Sequence, residues 1–67
     1  MSIAKVTEII SASPKSFQDA IESGIERANK TLENVSGAWI SDQKVDIKNG
    51  KIVQYRVTMR ITFILKD

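Results

Sequence analysis

Among its 67 residues the chain has neither histidine nor cysteine. It therefore offers no imidazole base, no thiol nucleophile and no nitrogen- or sulfur-rich metal site. What remains is carboxylate chemistry, a handful of arginines and one tryptophan, Trp39. Asp42 and Asp46 alternate with lysines, and spacing along the chain alone does not make an acid/base pair of them, so the chain is not expected to be an enzyme. Calcium needs several oxygen ligands and no stretch has the EF-hand pattern, which leaves sharing between subunits as the route to such a site. Arg56 and Arg60 fall on one side of a strand-like run, where they suit a phosphate or carboxylate or, more ordinarily, ion pairs.

The charges argue in the same direction. Ten Lys and Arg oppose eight Asp and Glu for a net charge of +2, and they are dispersed, so no basic arm exists to neutralise several phosphates together. Nucleic acid is not an expected partner. Met1 to Ile10 lacks the order of a signal peptide and no apolar run is long enough to span a membrane, so a cytoplasmic protein without a membrane partner is expected.

The elements that position these residues can be read in turn. Ile3 to Ile10 reads as a strand broken by Ser11-Ala12-Ser13-Pro14. Ala4, Val6 and Ile10 share one side of it and Ile3 and Ile9 the other, so either both faces are covered or a bulge changes the phase. Ser13-Pro14 supplies a helix start. Phe17, Ala20, Ile21, Gly24, Ile25, Ala28 and Leu32 then recur every three or four residues, which predicts a one-sided helix ending near Asn34. Gly24 costs about 1 kcal/mol of helix propensity against alanine, a loss that close approach to a strand would offset.

Val35 to Lys48 and Lys51 to Leu65 flank Asn49-Gly50, the pair best suited to a two-residue type I′ hairpin. With that turn in a regular ladder, Ala38 pairs with Ile61, Trp39 with Arg60, Ile40 with Met59, Ser41 with Thr58 and Gln43 with Arg56. Tyr55, Val57, Met59, Ile61, Phe63 and Leu65 then lie under the helix and Arg56, Thr58, Arg60 and Thr62 on the outer face. A right-handed crossover makes the first two strands parallel, with the third antiparallel between them. The fold class is α+β, a single β-α-β-β domain over residues 1–67. A chain this short buries only roughly 60% of its unfolded surface, so the missing stabilisation is expected from other subunits.

The same register sets Trp39 on the outer face among Gly37, Ser41, Gln43, Arg56, Thr58 and Arg60. An indole there needs a cover, and two are open: a subunit interface, or a planar ligand stacked on the ring and oriented by Arg and Gln donors.

In order and spacing, Lys5-Val6-Thr7-Glu8-Ile9-Ile10 with Ser11-Ala12-Ser13-Pro14, Ile25-Glu26-Arg27-Ala28 with Lys30-Thr31-Leu32, and Tyr55 to Phe63 resemble the dodecins across nearly the whole chain. The resemblance implies a sheet partly wrapping one helix, twelve copies closing into a hollow homododecamer, and flavins stacked in pairs between tryptophans of neighbouring subunits. It also implies flavin storage or buffering and not catalysis. Two departures stand out. The family's stacking tryptophan falls on Gly37, with Trp39 two residues later on the same side, a slide of about 7 Å. The glutamine that contacts the flavin ring falls on Arg56, while Asp42 matches a position near the ligand's polar tail. The resemblance thus implies a flavin (FMN, riboflavin or FAD) held by Trp39, Arg56, Gln43, Asp42 and Gly37. Tyr-Arg at 55–56 instead resembles a branch without the tryptophan, one member of which binds calcium. The alternative is therefore a structural or calcium-binding shell in which Trp39 packs between subunits.

Overall fold

The computed structural model describes residues 3–65. The chain runs β1 (Ile3–Ser13), α1 (Phe17–Thr31), β2 (Val35–Lys48) and β3 (Lys51–Leu65). The sheet order is β1-β3-β2, with β3 antiparallel to both neighbours, as the crossover argument required. Asn49 and Gly50 form the hairpin turn with φ of 53° and 75°, both in the left-handed region that a type I′ turn demands.

Helix α1 starts later than the sequence implied. β1 continues to Ser13, which pairs with Tyr55, and the cap is Ser16, whose Oγ accepts from the Asp19 amide at 3.0 Å. Ser13 serves the junction in another way: its buried Oγ accepts from the Lys15 amide at 3.0 Å and donates to Asp19 at 2.6 Å. At the other end the Leu32 amide donates to the Ala28 carbonyl, and Asn34 turns the chain into β2 with a φ of 61°.

The apolar stripe of α1 packs on β1 and β3. Ala20, Ala28, Val57, Met59 and Ile61 are buried, with Ile9, Phe17, Ile21, Ile25, Leu32 and Val35 against them. Phe17 meets Tyr55 edge to face with ring centroids 5.1 Å apart. Gly24 lies where helix and sheet approach most closely: a Cβ there would collide with the Met59 side chain and lie 2.9 Å from Ser11 Cβ.

β1 pairs with β3 without a bulge, so the ambiguity in its facing resolves into two different faces. Ile9 joins the core while Val6 and Ile10 stay exposed on the outer face. The chain measures 52 × 19 × 13 Å, with a radius of gyration of 13.8 Å, against about 11 Å for a compact chain of this length. Ile47, Ile52 and Val53 at the hairpin end are exposed as well. One helix is too little cover for this sheet, and the uncovered apolar surface is of the kind that association buries.

Candidate functional site

The outer face is organised by β3, and paired residues on adjacent strands share a face. Glu8, Arg60 and Trp39 form one row across the three strands. Val6, Thr62 and Gly37 flank it on one side. Ile10, Thr58 and Asp42, then Ala12, Arg56 and Lys44, follow on the other.

This arrangement corrects the regular ladder. Register shifts fall between Val35 and Gly37, between Ile40 and Asp42 and between Asp46 and Ile47. Ser36 and Ser41 are left over on β2 and Val53 on β3; the offsets at Ser41 and Val53 cancel, and the one at Ser36 returns Val35 to the helix side opposite Phe63. Asp42 pairs with Thr58 and Gln43 with Val57, in place of Ser41 with Thr58 and Gln43 with Arg56. The bulge therefore carries Asp42 onto the face of Trp39 and turns Gln43 to the helix side, away from it. Ser41 Oγ secures the bulge by donating to the Thr58 carbonyl at 3.1 Å. Of the five sequence candidates, Gly37, Trp39, Asp42 and Arg56 share a face and Gln43 does not.

Trp39 is 61% exposed. On the same face Gly37 leaves open surface, because a Cβ built there meets nothing within 4 Å. Gly37 also borders a cleft of about 230 Å³ with Ile25, Val35 and Ala38, which opens on the helix side of the sheet and away from Trp39. A larger groove of about 340 Å³ lies between β1 and α1, lined by Ile9, Ser11, Gly24 and Ala28 among others. That groove belongs to the helix side of the β1 edge and holds none of the sequence candidates.

Arg56 is already engaged. Its Nη2 donates to Asp46 Oδ2 at 2.8 Å, and Lys44 Nζ lies 3.9 Å from the other carboxylate oxygen. The hydrogen bond from Arg56 outweighs desolvation and holds the Asp46 carboxyl below its usual pKa. Among the described residues the partner of Arg60 is a loose one, Glu8, with Nε 3.8 Å from Oε2. Two polar groups on this face were not among the sequence candidates for the site. Gln54, half-buried and opposite Asp46, lies two residues from Arg56, and the strand period of two was the signal that places them together. Glu8 is found only through the β1–β3 register. Among the described residues no three acidic side chains gather closely enough to hold a metal ion.

The dodecin family model matches residues 3–66. The chain belongs to the dodecin family. A dodecin from Streptomyces davaonensis superposes with a TM-score of 0.93 at 32% identity, covering 98% of this chain and 97% of that one. The calcium dodecin of Mycobacterium tuberculosis is 26% identical over 66 residues, 98% of this chain and 93% of that protein. Its crystal structure, described as having a novel calcium-binding site, superposes with a TM-score of 0.83 at 29% identity, covering 97% of this chain and 93% of that one. The expected family and fold class are both borne out, and the relatives include both a dodecin named without a ligand and a calcium dodecin. Among the described residues no helix is long and apolar enough to cross a membrane.

Proposed function

We propose that this dodecin-family protein is a non-catalytic binder and store of flavin, built as a hollow cytoplasmic homododecamer, with the flavin ring stacked on Trp39 where subunits meet. The observation that carries the reading is the exposed indole, with open surface at Gly37 on the same face. A flat apolar ring on a polar face gains by being covered with another flat ring, and the missing Cβ at Gly37 leaves space for one that overhangs the indole. Asp42, on the same face through the bulge, faces the ligand's polar tail, and Arg56 with Gln54 borders the far end. The thin, elongated subunit supports the assembly. No nucleophile with an adjacent base accompanies the ring, which supports binding over turnover.

The test is titration of ligand-free protein with riboflavin and with FMN, alongside the mass in solution. Stacking quenches flavin emission. Undiminished emission at protein excess refutes the proposal, and a single-subunit mass refutes the shell.

A second reading, a calcium-binding or structural shell with Trp39 packed between subunits, is favoured by similarity to the calcium dodecin and by Gly37 and Arg56 standing at the flavin-contact positions. Calcium would then have to be shared between subunits, because the described residues of one chain gather no acidic cluster. Calorimetry with calcium and with flavin separates the readings.

A further inference from the structure

We propose that Arg60, and not Arg56, reads ligand charge on this face, so that the preferred ligand is an aromatic ring system carrying an anionic group such as a phosphate. The inference rests on the stacking role of Trp39 proposed above.

The two arginines rise from the same face of β3 but are committed differently. Arg56 is hydrogen-bonded to Asp46 at 2.8 Å in a partly covered pair, and Lys44 adds a second cation to the same carboxylate. Redirecting Arg56 to a ligand would break a charge-assisted hydrogen bond. Arg60 and Glu8 are 3.8 Å apart at their closest and are 58% and 59% exposed. A pair so long and so wet contributes little and opens at little cost.

Position then favours Arg60 further. It is the cross-strand partner of Trp39, and paired residues on a sheet hold their Cβ atoms about 5 Å apart. The guanidinium and the indole therefore border one volume. A ring lying on Trp39 brings its substituents within reach of the arginine, whose forked donors match a phosphate or a carboxylate. Glu8 completes the row from β1. It is the anion that an acidic ligand displaces and a neutral ligand leaves in place, so Glu8 and the ligand's charged group compete for one guanidinium.

The experiment titrates the full-length protein with riboflavin, which is neutral, and with FMN, which carries the phosphate, following flavin fluorescence in the unaltered protein and in Arg60→Gln, Glu8→Gln and Arg56→Gln. The unaltered protein is expected to hold FMN more tightly than riboflavin. Arg60→Gln lowers FMN affinity about tenfold, the scale of one charge-assisted hydrogen bond, and leaves riboflavin within about twofold. Glu8→Gln tightens FMN binding, which tests the competition without touching the arginine. Equal losses for both flavins in Arg60→Gln, or a preference that vanishes in Arg56→Gln and survives in Arg60→Gln, overturn the assignment. Absence of quenching by the unaltered protein defeats the stacking reading and this inference with it. Quenching that persists with a preference indifferent to Arg60 and Glu8 defeats this inference alone.

Discussion

Removing the indole separates the two covers that Trp39 can have. With 61% of its surface exposed, and a whole tryptophan presenting up to about 250 Å², roughly 150 Å² is available for covering. A ring stacked on one side takes about half of that, and at about 25 cal/mol per Å² the burial stabilises the complex by about 2 kcal/mol. That agrees with the roughly 1–3 kcal/mol found when aromatic side chains under stacked bases are truncated. Trp39→Ala is therefore expected to weaken flavin binding about thirtyfold, since about 1.4 kcal/mol is a factor of ten. Trp39→Phe should lose less. The assay is flavin quenching, paired with sedimentation of the same samples, and because Trp39 is the only tryptophan its own emission reports the contact from the other side. If Trp39→Ala leaves flavin affinity within about twofold, the indole is not the platform. Unchanged affinity together with a dissociated assembly makes it an interface side chain.

Gly24→Ala places a methyl group 2.9 Å from Ser11 Cβ, which is tied to the backbone and cannot swing aside, and against Met59. The overpacking cost of about 1–3 kcal/mol exceeds the gain in helix propensity of about 1 kcal/mol, so the variant should unfold at lower denaturant than the parent. Greater stability would mean that the close approach is not real. Because Arg56 lowers the folded-state pKa of Asp46, the contribution of this pair is complete above the unfolded value near 4 and is lost as pH falls through the lower folded value. Asp46→Asn should flatten that part of the acid limb in thermal melts, and an unaltered acid limb contradicts the pairing. Deleting Ser41 removes the unpaired residue between Ile40 and Asp42 while every β2–β3 pair persists. The subunit should keep its circular dichroism and lose only about 1 kcal/mol, the scale of the Ser41–Thr58 hydrogen bond, whereas an unfolded product would show that the bulge is required for the ladder.

Much of the architecture was legible because independent signals agreed. The three- and four-residue stripe, Asn49-Gly50 and the clean alternation of β3 each point to the same β-α-β-β chain, and Gly24 made sense only as a point of close contact. The helix start was harder to place because two serines compete. Ser13-Pro14 has the stronger dipeptide signature, yet Ser13 is held in β1 by pairing with Tyr55. Ser16, followed three residues later by Asp19, carries the cap. The relative roles of Arg56 and Arg60 were not legible at all. Both are arginines on one face, and what distinguishes them is a diagonal contact to Asp46 and a β1 neighbour at Glu8, pairings that depend on the register and not on local pattern.

The bulge in β2 left a trace in the sequence after all. Ala38 and Ile40 are apolar at even positions, whereas Val45 and Ile47 are apolar at odd ones, so the inward phase of the strand changes between 40 and 45. A regular ladder cannot satisfy both halves: it would turn Asp42 and Lys44 toward the helix side and leave Val45 on the outer face. One unpaired residue at Ser41 repairs this. Val45 then lies opposite Tyr55 while Asp42 and Lys44 line up with Thr58 and Arg56. The second offset, at Val53, restores the pairing of Ile47 with Ile52 and delivers both strands in step to the Asn49-Gly50 turn. The device that keeps charge off the helix side is thus the same one that sets a carboxylate beside Trp39. The polar composition of the outer face follows from a constraint of the core, and any ligand stacked on the indole meets groups that folding has already placed there.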